Sequence, residues 1–186
     1  SISAGIGQGY NAFTPVQLAH AIATVANDGV SYQPHLVKTI RSIGTGALRE
    51  VAAQPTHTVP LQPAHLAVIK SALVGVSREG TSAAAFAKSA YVSAGKTGTA
   101  QLYSLKGEKY VAGRVDERLR DHAWYIAYAP ADKPRIALAV LVENGGFGAQ
   151  SAAPIARMVL DYYLLGKLPA GAAKEDAIAV EEDNEQ

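Results

Sequence analysis

Ser93-Ala94-Gly95-Lys96-Thr97-Gly98-Thr99-Ala100-Gln101 is the stretch of this 186-residue chain whose residue types and spacing are best suited to chemistry. It admits three readings, and each demands a different backbone. A phosphate loop needs Gly-x-x-x-x-Gly-Lys-Thr running into a helix, so that amides converge on phosphate. Counting back from Gly95, the first glycine would fall on Ala90, and Gly98 would sit in the first helical turn. That reading is set aside. A Ser-x-x-Lys nucleophile pair needs Ser93 and Lys96 on one helical face, close enough for the amine to take the hydroxyl proton. Val92 to Leu102 instead reads as a strand. Residues three apart in a strand point to opposite faces, roughly 10 Å apart along the chain. Ser93 is therefore not expected to be a nucleophile.

The third reading makes Lys96-Thr97-Gly98-Thr99 one wall of a site whose nucleophile lies elsewhere. Lys-Thr-Gly is an established element of serine acyl-transfer enzymes, where it accompanies Ser-x-x-Lys and Ser-Asp-Asn. A cationic Lys96 raises the potential where an anionic peptide terminus would sit. The Thr97 hydroxyl can hydrogen-bond that carboxylate. Gly98 has no Cβ, so another backbone can approach closely. An edge strand also offers free N–H and C=O groups to an extended peptide. The Thr99 amide is suited to donate to an oxyanion, a contribution of about 3–4 kcal/mol in the transition state. Three letters alone are a weak signal, and an ordinary edge strand is the default.

The elements that must hold this strand can be read outward from it. Thr14-Pro15-Val16-Gln17 is a capping-box pattern with proline at the first helical position. The helix it opens places Leu18, Ile22, Val25 and Ala26 on one face and stops at Asn27-Asp28-Gly29. Residues 35–40 predict a short strand, and residues 44–60 a loop or weak hairpin. A second helix is expected from Pro63 to about Val76, with Leu66, Ile69, Leu73 and Val76 inward. Thr81 is the expected cap of a short helix ending at Phe86. After the charged loop 103–122, strands are predicted over 123–129 and 135–142, joined by Pro130-Ala131-Asp132-Lys133-Pro134. A closing helix over 152–165 is expected to bury Ile155, Met158, Val159, Tyr162 and Leu165. The order predicts an α+β fold, with helices packed on a three-stranded antiparallel meander. Residues 1–168 are expected to form its folded part, and 169–186 an acidic tail expected to be disordered.

Composition narrows the function classes. A hydrophobic content of 48% with 18% charged residues describes a globular chain. A net charge of +1 gives no reason to expect a nucleic-acid partner. With no cysteine there are no disulfides or thiolate metal sites. His20, His35, His57 and His65 are scattered without metal-ligand spacing and read as structural or solvated. His122 reads as a support for Asp121 or Arg120. The charged loop either borders the cleft or is solvated. No cofactor or metal is expected.

Four segments then converge: GIGQGYNAFTPVQLAHAIATVANDG, SAGKTGTAQ, ERLRDHAWYIAYAP and VLVENGG. Together, across residues 1–166, they resemble the class B penicillin-binding proteins of the elongation (rod-shape) type. The resemblance implies the C-terminal part of a penicillin-binding, serine β-lactamase-like transpeptidase fold. It implies a D,D-transpeptidase that cross-links peptidoglycan stem peptides through a serine acyl-enzyme and is inhibited by β-lactams. Lys96 would join the cleft's polar network, Thr97 would bind the carboxylate of D-Ala-D-Ala or a β-lactam, Gly98 would keep the strand open, and Thr99 would supply a backbone oxyanion donor. By the same resemblance, the partners are the rod-shape glycosyltransferase RodA and elongation-complex proteins. The catalytic domain would lie in the periplasm, on an anchor in the bacterial inner membrane.

No helical Ser-x-x-Lys and no Ser-x-Asn occurs in residues 1–186. The resemblance places both, and the membrane anchor, upstream, so the chain is expected to be a piece that does not acylate alone. Alternatives are a D,D-carboxypeptidase, a septal class B paralogue, or a non-catalytic interaction module of the same fold.

Overall fold

The computed structural model describes Gly5 and residues 7–9, 11–102 and 115–169. Most of the charged loop and nearly all of the acidic tail lie outside the described residues.

Helix α1 (Pro15–Ala26) begins where the sequence puts it. The Thr14 hydroxyl accepts from the Gln17 amide, and the Gln17 side chain accepts from the Thr14 amide at 2.8 Å. Two otherwise orphaned donors are thereby satisfied. Strand β1 (Val30–Tyr32) pairs antiparallel with β4 (Pro55–Thr58), and β2 (Thr39–Arg41) with β3 (Leu48–Glu50). The strand expected over 35–40 thus starts only at Thr39. His35 turns back locally, its Nδ1 lying 2.8 Å from the Val37 carbonyl.

Helix α2 (Pro63–Arg78) buries Leu66 and Ser77. Leu73 and Val74 pack on the core, while Ile69 stays exposed, contrary to expectation. The short helix α3 (Ala83–Phe86) is preceded by Ser82 at its cap position rather than Thr81. The Thr81 hydroxyl is used elsewhere, on Thr97.

Strands β5 (Ala94–Ala100), β6 (His122–Ala129) and β7 (Ile136–Val142) form the predicted antiparallel meander in the order β5-β6-β7. Side chains of β6 alternate between two cores, as strand period 2 requires. Ala123, Tyr125, Ala127 and Ala129 face α3 and the closing helix α4 (Ala152–Leu165). Ile126 and Tyr128 face Ile22 and Ala26 of α1. The result is a helix–sheet–helix sandwich.

Helix α4 has the expected bounds but the opposite face inward. It buries Ala152, Ala153, Ala156 and Leu160, while Ile155, Met158, Val159, Tyr162 and Leu165 remain 38–58% exposed. The reason is steric. The inward residues of β6 are largely alanines, and the small alanines of α4 let the two backbones approach closely.

Two buried tyrosines, Tyr125 and Tyr128, and the partly buried Tyr91 link this core to pH. Tyr91 donates to Asp161 at 2.8 Å, Tyr125 pairs with Ser82 at 3.0 Å, and the Tyr128 hydroxyl has no partner among the described residues. Burial is the main cause that raises all three phenol pKa values above the usual 10. The unfolded chain therefore ionises first as pH rises past about 10, and stability falls from there upward. We expect the thermal midpoint to drop above about pH 10 and Tyr128→Phe to lessen that drop. A midpoint unchanged between about pH 9 and about pH 11 would contradict the assignment.

Candidate functional site

Register with β6 settles which way each β5 side chain points. Thr97 lies opposite Tyr125 and Thr99 opposite Ala123, so both threonines face the α3/α4 layer. Lys96 lies opposite Ile126 and Gly98 opposite Trp124, on the α1 side. Ser93 precedes the strand and is buried at 1% exposure, its hydroxyl without a partner among the described residues. Lys96 is exposed, and its Nζ donates to the Thr97 carbonyl at 2.9 Å. No Ser93–Lys96 dyad forms.

The two strand glycines are required by close approaches. A Cβ at Gly95 would sit 2.5 Å from the Tyr125 hydroxyl and 2.7 Å from the Ile126 carbonyl. At Gly98 a Cβ would meet the Trp124 Cβ at 3.1 Å. A third glycine presses on the same place from the loop before α4. A Cβ on Gly148 would collide with the Trp124 carbonyl and lie 2.5 Å from the Gly98 carbonyl. That loop is itself anchored, since the Gly146 amide donates to the Asp121 carbonyl at 2.8 Å. The Asp121 carboxyl accepts the Leu102 amide just past β5, while burial pushes its pKa up. His122 acts on Asp121 electrostatically, favouring its carboxylate, in keeping with the expected supporting role. Its Nδ1 accepts the Asn144 amide at 2.9 Å, and the Asn144 side chain donates to the Arg118 and Arg120 carbonyls.

Along its outer edge β5 is partly open. The Ser93 carbonyl accepts the Ser77 hydroxyl at 2.5 Å, and the Thr99 carbonyl accepts the Gln8 side-chain amide at 2.8 Å. These contacts show that odd-numbered residues turn their backbone groups away from β6. Among the described residues, the amides of Thr97 and Thr99 find no acceptor. The Thr97 hydroxyl lies 2.8 Å from that of Thr81, so two hydroxyls stand together on one side of this edge. Clefts of about 730, 680 and 340 Å³ occur on the surface, and none is lined by Lys96, Thr97, Gly98 or Thr99. The candidate site is an open strand edge, suited to adding an extended peptide.

The penicillin-binding protein transpeptidase domain matches residues 1–161. The chain belongs to this transpeptidase family. It is 42% identical to the peptidoglycan D,D-transpeptidase MrdA of Haemophilus influenzae, over 91% of the chain and 26% of that protein. With MrdA of Escherichia coli K12 it shares 36% identity, over 95% of the chain and 29% of that protein. Its structure resembles Pseudomonas aeruginosa PBP2 in complex with WCK 5153, with a TM-score of 0.69, 37% identity and coverage of 92% and 34%. It also resembles penicillin-binding protein A of Mycobacterium tuberculosis as a ceftriaxone acyl-enzyme complex, with a TM-score of 0.70, 31% identity and coverage of 87% and 35%. The chain thus spans between a quarter and about a third of the length of these relatives.

For this transpeptidase-family chain, the structure brings Lys96, Thr97, Gly98 and Thr99 onto one strand and leaves Ser93 out. Sequence reasoning missed three contributors: Thr81, Gln8 and Gly148. Thr81 and Gly148 carry no local signal, because their partners lie 16 and 50 positions away. Gln8 stands between two glycines, which was a usable sign of a built turn. A metal site is not suggested by any cluster of His, Asp or Glu among the described residues.

The two loop glycines separate backbone freedom from close approach. Gly146 has φ of 75° with nothing within 4 Å of a would-be Cβ. We expect Gly146→Ala to cost about 1–2 kcal/mol for its left-handed backbone. Gly148→Ala meets backbone on both strands and should cost more, in urea unfolding of the transpeptidase. Equal midpoints for the two variants would contradict the packing described.

Proposed function

We propose that this chain is the C-terminal part of the transpeptidase domain of a peptidoglycan D,D-transpeptidase. The observation that carries the reading is the edge of β5, where two unpaired amides stand beside the Lys96 ammonium and the Thr97 and Thr81 hydroxyls. A stem peptide ending in D-Ala-D-Ala has the matching chemistry, an extended backbone with a terminal carboxylate. It would lie along β5 as an added strand, its carboxylate held by Thr97 and drawn by Lys96. Gly98 adds no side chain at the point of closest approach. The Thr99 amide would donate to the carbonyl oxygen of the bond being broken, where negative charge develops.

The nucleophile is a serine outside this chain, from an upstream Ser-x-x-Lys. Its oxygen bonds to the penultimate D-Ala carbonyl carbon, the terminal D-Ala leaves with the proton, and an amine of a second stem peptide then displaces the serine. A β-lactam carries a carboxylate and a strained amide in similar disposition, so it would acylate the same serine. The acyl-enzyme complexes of the M. tuberculosis relative support this reading. The family resemblance extends the proposal to a periplasmic catalytic domain anchored in the inner membrane. It would work with the glycosyltransferase RodA and other elongation-complex proteins. None of the described helices is long and apolar enough to cross a membrane.

Fluorescent penicillin labelling tests the site. In the full-length protein, Lys96→Ala and Thr97→Val should each slow labelling about ten- to a hundredfold, the range for losing a hydrogen bond to a charged group, with the thermal midpoint kept. Normal acylation in both would overturn the assignment. Residues 1–186 alone should not label, and an adduct mapped to Ser93 by mass spectrometry would restore the Ser93–Lys96 reading.

A further inference from the structure

One side chain touches the outer edge of β5 beside the proposed oxyanion donor without being part of the chemistry described. Gln8 sits between Gly7 and Gly9, both with φ of 79°. Two left-handed residues flanking one ordinary residue form a tight turn that presents a single side chain. The Gln8 Nε2 donates to the Thr99 carbonyl at 2.8 Å, and its Oε1 accepts the Gln101 amide at 3.3 Å. One amide therefore holds an outward backbone group of β5 and another just past its end, from a site more than 90 residues away in sequence.

We infer that Gln8 is a positioning residue for the Thr99 amide, a role that rests on reading β5 as the substrate strand. An oxyanion donor acts through its direction, because its contribution depends on being in place before charge develops. The Thr99 amide shares one planar peptide unit with the Gly98 carbonyl, which faces β6, whereas the Thr99 carbonyl belongs to the next unit and faces outward. Gly98 beside it has no Cβ to restrict rotation, and the hydrogen-bond ladder to β6 engages even-numbered residues only. Gly148 blocks movement of Gly98 from the α4 side. Among the described residues the outward side has no further strand, so movement there is checked by Gln8. Holding the Thr99 carbonyl clamps the following peptide unit from outside, so the two units that meet at Thr99 are held from both sides of the strand and the amide keeps its direction. Gln8 need not touch substrate to do this.

The experiment uses the full-length protein and a chromogenic cephalosporin, separating the limiting acylation rate from the non-covalent dissociation constant. Gln8→Ala should lower the limiting rate about tenfold or more, with the dissociation constant within about threefold. Gln8→Glu keeps the shape and the acceptor but lacks the donor to Thr99 while ionised. Its rate, relative to wild type at the same pH, should recover as pH falls towards about 4.3, where a carboxylic acid regains a donor proton. Gln8→Ala should show no such recovery. Acylation by both variants within about twofold of wild type would overturn the inference. So would a loss confined to the dissociation constant, or a Gln8→Glu defect unchanged by protonation. Should Gln8→Ala fail to fold, the isosteric Gln8→Glu profile decides alone. Lys96→Ala and Thr97→Val run alongside: impairment there with normal Gln8 variants removes only this inference, whereas normal rates throughout remove the site reading as well.

Discussion

The hydroxyl of Tyr125 is buried completely, in the space that a Cβ on Gly95 would occupy, and the placement of β5 depends on it. Ser82 donates its own proton to the Val76 carbonyl, so it is left to accept from Tyr125. The resulting chain of hydrogen bonds runs from the middle of the sheet to the end of α2. A buried hydroxyl without a partner would cost on the order of 1–3 kcal/mol, so the corner at Ser82 and the sheet are mutually required. The same corner sends Ser77 to the Ser93 carbonyl and Thr81 to Thr97. Three hydroxyls within six residues therefore register β5 and β6 against the helices. Phe86 stacks on Tyr125 from the adjoining turn, with ring centroids 5.8 Å apart. Arg157 of α4 then closes the assembly, lying over the Phe86 ring, pairing with Asp161 and donating to the Ala85 and Ala87 carbonyls.

Such anchoring suits a strand that must be rigid and yet open. Its inner backbone groups are satisfied by β6, and its carbonyls at Ser93, Thr97 and Thr99 by side chains. Among the described residues the amides of Thr97 and Thr99 stay open, and such donors are the part of an edge that an incoming peptide or a developing oxyanion needs. An unprotected edge is ordinarily a liability for aggregation. Here the edge carries a lysine and two glycines, features that discourage indiscriminate pairing.

Much of this was legible in residue order. The capping box at Thr14, the turn from Pro130 to Pro134 and the alternation along β6 are local signals with local causes, and the elements appear where those signals lie. Opposite faces for Lys96 and Thr97 follow from strand period alone. The inward face of α4 did not follow, because ranking by side-chain size selects Met158 and Tyr162, whereas the partner surface of alanines admits only alanines closely. Thr81 was misread as a cap for a related reason: its hydroxyl had a better use on a strand that sequence position does not bring near.

The sequence by itself determined the element types, the antiparallel meander, and a Lys-Thr-Gly strand with a resemblance specific enough to name a family. These are consequences of short-range periodicity, turn chemistry and motif spacing. Tertiary structure decided which backbone groups of that strand are occupied and which are free, since Gln8, Ser77, Thr81 and Gly148 reach it from distant parts of the chain. Edge polarity is a property of neighbours in space. No pattern within residues 93–101 could state that the Thr99 carbonyl is held while its amide is left open.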